Sequence, residues 1–198
     1  MTSESIKNTI SLTLITLAAG LLLGLVYEIT KEPIAAQQQS AKEEAYKEVF
    51  AGADTFEEIE IDTGKTESQL AGQGLDAAID EAMKVFDKDG NLAGYVLTVT
   101  DHEGYGGDIQ FAMGVKLDGT LNGISFLSIG ETAGLGMKAE EDDFKSQFAG
   151  KNVESFTYTK NGASAENEID AISGATITTN AVTNGVNAGL YYISTLNQ

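Results

Sequence analysis

The first feature of the chain is a long uncharged apolar segment near the N-terminus. No residue from Asn8 to Tyr27 is charged, and leucine, isoleucine and alanine fill many of the positions. A helix of this length, at about 1.5 Å per residue, spans roughly the hydrocarbon thickness of a bilayer. A cleavable signal peptide or a buried soluble helix shares the pattern, but a signal peptide usually has a more basic start and a shorter apolar core. The segment predicts a single membrane-spanning helix at residues 8–27, within an N-terminal anchor at residues 1–30.

The next segment is polar, and the pattern beyond it becomes that of strands. Residues 31–50 predict a helical stalk with a thin apolar stripe at Ala45, Val49 and Phe50. Four β-rich runs follow, at residues 83–87, 92–100, 109–117 and 121–130. Asp-Gly turns at Asp89 and Asp118 join these runs in two pairs, and connections this short make the strands of each pair antiparallel.

Helical patterns reappear towards the C-terminus. A short helix is predicted at residues 140–148, a strand at 153–159 and a longer helix from about Thr178 to Leu196. Apolar residues on the last helix recur every three or four positions, at Val182, Val186, Leu190 and Ile193. The chain is therefore predicted to have an α+β fold, with a twisted, mainly antiparallel sheet flanked by helices, in a domain covering residues 51–198.

Charge and composition exclude several classes of function. Twelve basic residues, all lysine, stand against thirty acidic ones, for a net charge of −18. Such a surface repels phosphate backbones, so no nucleic-acid partner is expected. The chain has no cysteine, which excludes disulfides, iron–sulfur clusters and thiolate zinc sites. Its single histidine, His102, excludes a three-histidine metal centre within one chain, and no metal site is predicted.

The charges beside the apolar segment bear on membrane orientation. Lys7 and the terminal amine precede the apolar core and favour a cytoplasmic N-terminus. The sequence therefore predicts a single-pass protein of the cell membrane with its large C-terminal domain on the extracytoplasmic side.

Three glycine-marked segments are candidates for chemistry. Gly104–Gly107 (GYGG) lies between two predicted strands, and Gly130–Gly136 (GETAGLG) follows the last of them. Glycines let a ligand approach the backbone, although the first segment taken alone is more typical of an ordinary loop. The second segment does not match the glycine-rich nucleotide-binding patterns, so nucleotide binding through them is not expected.

The third segment, Asp170–Thr176 (DAISGAT), lies directly before the predicted C-terminal helix. Ser173 or Thr176 could simply be the N-cap of that helix. Alternatively, the small Gly174 and Ala175 leave the Thr176 hydroxyl uncovered. Free N–H groups and the dipole at the helix start would then favour a phosphate at that position, even without an arginine.

Taken together, the three segments resemble a known family. DAISGAT is similar to the flavinylation motif of proteins that carry FMN through a threonine phosphoester. With GYGG, GETAGLG and Ala51-Gly52-Ala53, the chain resembles the G subunit of the Rnf electron-transport complex, whose FMN-binding domain also occurs in the C subunit of the sodium-pumping NADH:quinone reductase. The resemblance covers most of the chain, including the anchor, and departs from the family at Ala133, where proline is usual.

The resemblance implies a cofactor and a set of site residues. FMN would be bound covalently to Thr176, and Asp170 would belong to the signal read by a separate magnesium-dependent flavin transferase. The residues expected around the flavin are Ser173, Gly174, Ala175, Glu131, Thr132, Gly134, Leu135 and Gly136.

The implied function is that of an electron carrier without a complete active site of its own. It would work with other membrane subunits of an Rnf-type complex that couples ferredoxin:NAD electron transfer to sodium or proton translocation. Two alternatives stay open from the sequence: a flavin-binding module of another extracellular reductase or sensor system, and a non-redox surface domain whose glycine segments are only turns.

Overall fold

In a computed structural model, which describes residues 2–196, the chain divides into two compact units. Unit 1 ends at Ala41 and is formed by helix α1, which spans Ser3–Val49 and continues into unit 2. The large apolar side chains of unit 1 are exposed, and Pro33 lies inside the helix. Among the described residues, α1 is the one helix that is long and apolar enough to cross a membrane. This confirms the predicted N-terminal apolar helix as the candidate span.

Unit 2 contains a five-stranded antiparallel sheet whose strands pair in sequence order. The turns after the second and fourth strands place Gly90 and Gly119 at φ of +79° and +88°, which glycine adopts without strain. Asp87 and Asp118 accept backbone N–H groups within these turns. The predicted hairpins and antiparallel sheet are confirmed. The strands are β1 (Thr55–Glu58), β2 (Ala77–Phe86), β3 (Leu92–Asp101), β4 (Ile109–Lys116) and β5 (Leu121–Ile129).

The C-terminal helix α4 (Thr176–Leu196) covers one face of this sheet. Two glycines of α4 allow the helix to approach closely. A Cβ atom on Gly189 would lie 2.1 Å from the Met113 sulfur, and one on Gly185 would lie 2.9 Å from the Phe111 ring. Met113 and Phe111 are fully buried, so this helix–sheet contact forms the main core.

The opposite face is covered by the last turns of α1 and the residue that follows. Tyr46 and Val49 are buried there together with Phe50. The Tyr46 hydroxyl lies 2.7 Å from Thr98 Oγ1 on β3. A Cβ on Gly114 would lie 2.3 Å from the Val49 carbonyl oxygen, so only glycine fits at that crossing. The sheet is thus buried on both sides.

Several short elements differ from the sequence predictions. Helix α2 (Thr63–Gly72) was not predicted, since threonine, serine and glycine are weak helix formers. It is stabilised by the Asp62 carboxylate, which accepts the Lys65 N–H, and by burial of Leu70. The predicted helix at 140–148 is a 3₁₀ turn (Gly136–Glu140) followed by a single turn, α3 (Asp142–Lys145). Strand β6 (Thr157–Thr159) lies in the predicted strand region and pairs in parallel with β7 (Glu168–Asp170), which is too short to produce a pattern.

Candidate functional site

The three glycine-marked segments come together at one end of the sheet. A Cβ on Gly106 would lie 2.2 Å from the Gly130 carbonyl oxygen, so the first two loops are in direct backbone contact. A Cβ on Gly174 would lie 3.2 Å from Leu135 Cδ2, which brings the third segment against the second. Gly174 itself has φ of +78°. The packing therefore requires glycine at the points where these loops meet.

A cavity of about 540 Å³ opens where the segments converge, within the size range of small-molecule sites. Large apolar side chains are rarely exposed in unit 2: among its described residues, 42–196, only four are, and Tyr105, Leu135 and Ile177 are three of them. All three line this cavity. A cavity with exposed apolar and aromatic walls suits a flat, largely apolar ligand ring. Its walls are Tyr105, Glu131, Thr132, Leu135, Gly136, Gly174, Ala175, Thr176, Ile177 and Thr178.

Most of the residues predicted around the flavin line this cavity. Ser173 and Gly134 do not: Ser173 lines a neighbouring concavity, and Gly134 has φ of +75° in the turn that carries Leu135. Ile177 and Thr178 were not predicted, although they directly follow Thr176. That each of these residues binds a cofactor stays a prediction.

Glu131 ties two of the loops together from within the cavity wall. The residue is only 8% exposed, and its Oε1 accepts the Gly106 N–H at 3.2 Å. A Cβ on Gly136 would lie 2.7 Å from Glu131 Oε2 and 2.6 Å from Thr178 Oγ1. The buried carboxylate is thus the one acidic group among the residues that line the cavity, and Gly136 leaves the space for it.

Thr176 is half-buried in the cavity wall at the first position of α4. Neither Ser173 nor Thr176 caps the helix with its side chain; Ala175 precedes the helix, and its carbonyl accepts the Thr179 N–H. Within residues 2–196 the Thr176 hydroxyl has no hydrogen-bond partner. The N–H groups of the first helical turn are unpaired there as at other helix starts, and together with the helix dipole they attract an anion. A phosphate joined to the Thr176 oxygen therefore fits this position.

Asp170 lies outside the cavity, at the end of β7. Its Oδ1 accepts the Ala163 N–H at 2.7 Å, and the side chain is exposed. Its backbone N–H donates to Gln147 Oε1 at 2.6 Å, and its carbonyl accepts from Gln147 Nε2 at 3.4 Å. Asp170 thus fixes the start of the third segment, and its recognition by a transferase stays a prediction.

A larger concavity, of about 690 Å³, lies at the other end of α4. It is bordered by Leu190, Asp118 and Asn152 and includes none of the three glycine segments. Volume alone therefore does not identify the site; the meeting of the three loops does.

Two family models match the chain. Residues 1–49 match the RnfG N-terminal region, and residues 104–191 match the FMN-binding domain. The second match includes all three glycine segments and most of α4. It therefore covers the whole cavity described above.

Curated relatives match almost the full chain. The G subunit of the proton-translocating ferredoxin:NAD(+) oxidoreductase complex of Clostridium ljungdahlii is 31% identical over 94% of this chain and 90% of that protein. The G subunit of the Na(+)-translocating ferredoxin:NAD(+) oxidoreductase complex of Acetobacterium woodii is 31% identical over 93% and 89%. The crystal structure of the C subunit of the Na(+)-translocating NADH-quinone reductase from Parabacteroides distasonis has the same fold, with a TM-score of 0.52 and 20% identity over 81% of this chain and 96% of that one. The resemblance seen in the sequence motifs is confirmed, and the chain belongs to the RnfG family, the G subunits of ion-translocating oxidoreductase complexes.

Proposed function

We propose that this chain is the membrane-anchored electron-carrier subunit of an ion-translocating ferredoxin:NAD oxidoreductase complex, with FMN bound covalently through Thr176. The relatives named above are subunits of such complexes. The observation that carries the proposal is the cavity in which three distant glycine segments meet and present exposed Tyr105, Leu135 and Ile177. Turns in a non-redox surface domain would have no reason to converge on an apolar cavity with a free threonine hydroxyl.

The residues of the cavity fit FMN at both of its ends. Leu135, Ile177 and Tyr105 supply apolar contact for the isoalloxazine ring, which when bound accepts and donates electrons. Thr176 and the N–H groups of the first α4 turn suit the phosphate. This local attraction is needed because the chain carries a net charge of −18 and has no arginine to bind a phosphate.

A covalent bond also makes sense of the proposed location. With Lys7 on the cytoplasmic side, unit 2 lies outside the cytoplasm, where little free FMN is present. A reversibly bound cofactor would be lost there, since occupancy depends on ligand concentration relative to affinity. Attachment needs an activated flavin phosphate, namely a flavin dinucleotide: the Thr176 oxygen loses its proton and bonds to the flavin-side phosphorus, and the pyrophosphate bond breaks to release the nucleoside monophosphate.

The partners follow from the same proposal. The other membrane subunits of the complex pass electrons to and from this domain, and a separate flavin transferase matures it, with Asp170 as part of the recognised signal. Relatives translocate protons in one organism and sodium ions in another, so the proposal covers either coupling ion.

Thr176→Ala tests the attachment, with Thr132→Ala as the matched control because Thr132 also lines the cavity. The full chain is produced together with a flavin transferase, denatured, and inspected for fluorescence that stays with the polypeptide. Peptide mass spectrometry then locates the added FMN. We expect wild type and Thr132→Ala to carry one FMN on residue 176 and Thr176→Ala to carry none. The transferase must also be shown to modify its own natural substrate in the same cells. If it does so and the wild-type chain carries no FMN, the proposal is contradicted.

A further inference from the structure

The segment that ends at Thr176 is held by a threonine of the helix that follows it. Residues Ile172–Ala175 form a tight turn, in which the Ala175 N–H donates to the Ile172 carbonyl at 3.0 Å. Gly174 adopts a left-handed φ of +78° within it. Thr176 comes immediately after this turn, so the conformation of the turn decides where the Thr176 hydroxyl lies.

The Thr179 hydroxyl bonds to both ends of the turn. Its oxygen accepts the Ile172 N–H at 3.1 Å and donates to the Ala175 carbonyl at 2.9 Å. Thr179 is fully buried, so water does not replace these bonds. Loss of the hydroxyl would leave the Ile172 N–H buried without an acceptor, which is costly for a backbone group.

Thr183, one turn further along α4, provides a contrast. It is also buried, and its hydroxyl donates to the Thr179 carbonyl at 2.7 Å. This is the ordinary bond of a threonine to the preceding turn of its own helix. Among the described residues the Thr183 hydroxyl has no hydrogen bond to the Ile172–Ala175 turn, so its removal costs one helix bond and leaves the bonds of the turn intact.

We propose that Thr179 is a positioning residue for flavin attachment: its hydroxyl fixes the Ile172–Ala175 turn and thereby presents Thr176 to the flavin transferase. This rests on the proposed attachment of FMN to Thr176. Thr179 does not line the cavity and takes no part in bond making. Its effect is to keep the acceptor hydroxyl in one position rather than in several.

The test compares Thr179→Val, Thr179→Ser and Thr183→Val in the full chain. Valine has nearly the shape of threonine but no hydroxyl, and serine keeps the hydroxyl. Each variant, purified without flavin in detergent, is incubated with flavin transferase, magnesium and flavin adenine dinucleotide, and the rate of covalent labelling is measured. We expect Thr179→Val to be slowed about tenfold or more, the rate equivalent of one lost buried hydrogen bond, and the other two to stay within about twofold of wild type.

A second measurement reads the turn without any flavin. Amide hydrogen exchange of the unlabelled chains should show the Ile172 N–H protected in wild type, Thr179→Ser and Thr183→Val and exposed in Thr179→Val. Fast exchange at Ile172 in wild type would overturn the proposal even if Thr179→Val does not fold. Equal labelling rates of wild type and Thr179→Val would overturn the proposal as well. Equal slowing of labelling in Thr179→Val and Thr183→Val would also overturn it, because the cause would then be the stability of the helix alone. A wild-type chain never labelled at Thr176 would instead defeat the proposed function, and this inference with it.

Discussion

Asp101 makes the stability of unit 2 fall as the pH rises, the opposite of the usual effect of a carboxyl group. It is the last residue of β3, and its side chain is fully buried under α4 beside Gly185. Its Oδ1 accepts the Glu103 N–H at 2.9 Å, whereas its Oδ2 has no hydrogen-bond partner among the described residues. Burial raises the pKa of this carboxyl to about 7. The Glu103 N–H and His102 act in the opposite direction, and the charges of Glu103 and Asp76 reinforce the rise.

The magnitude follows from the distance between the two pKa values. In the unfolded chain Asp101 has its ordinary pKa of 3.8, against about 7 in the folded chain. Each unit of difference between the two pKa values corresponds to about 1.4 kcal/mol. The folded state therefore loses up to about 4 kcal/mol of stability relative to the unfolded chain once the pH exceeds both pKa values. The sign is fixed because the folded state holds the proton more tightly. The contribution of Asp101 to stability is therefore complete below pH 3.8 and is lost as the pH rises through about 7.

Asp101→Asn isolates this effect, because asparagine keeps the shape and cannot ionise. The free energy of unfolding of the full chain in detergent is measured by urea titration between pH 4 and 8, followed by circular dichroism. We expect wild type to lose stability relative to Asp101→Asn by up to about 4 kcal/mol from pH 4 to pH 7.5. Asn brings its own constant cost, so the change of the difference with pH is the quantity tested. The exposed Asp143→Asn is the control for removal of one negative charge. Parallel profiles for wild type and Asp101→Asn over this range would refute the reasoning.

Two further predictions concern the cavity wall. Glu131→Gln keeps an oxygen that can accept the Gly106 N–H but removes a buried negative charge. Since that charge opposes reduction of the flavin, we expect the flavin midpoint potential to rise by roughly tens of millivolts in a redox titration. An unchanged potential would contradict this prediction. Gly136→Ala places a Cβ 2.6 Å from Thr178 Oγ1, and we expect it to lower the free energy of unfolding by about 1–3 kcal/mol and to reduce covalent flavin content. Gly72→Ala, whose Cβ meets nothing within 4 Å, is its control, and equal losses in both variants would exclude the packing explanation.

The parts of the fold that local patterns determine could be predicted from the sequence. The three strands β3, β4 and β5 have β-rich composition, and the Asp-Gly turn between β4 and β5 requires a positive φ that glycine provides. Strand β2 was predicted only from Met83 onwards and begins at Ala77, because its first half is rich in alanine and acidic residues. The β6–β7 pair depends on contacts between three-residue segments that no local pattern reveals.

The same limit applies to the candidate site. Glycine spacing marks the three segments, and the resemblance to a family indicates Thr176. The bond that the Thr179 hydroxyl accepts from the Ile172 N–H could not be predicted, since a threonine inside a helix usually bonds only to the preceding turn. The burial of Asp101 was hidden as well, because it stands at the start of the polar stretch Asp101–Gly107 and becomes buried only when Gly185 of α4 packs against it.

The last turns of α1 have a practical consequence for any attempt to separate unit 2 from the candidate membrane span. Removal of all residues before Phe50 would take away Tyr46 and Val49 and uncover the apolar residues Val96 and Ala112. It would also remove the hydroxyl partner of Thr98. Removal of only the residues before Lys42 would keep Tyr46, Val49 and the other apolar residues that cover this face of the sheet. A shortened chain that keeps this face of unit 2 covered therefore has to retain the end of the helix whose first part is the candidate membrane span.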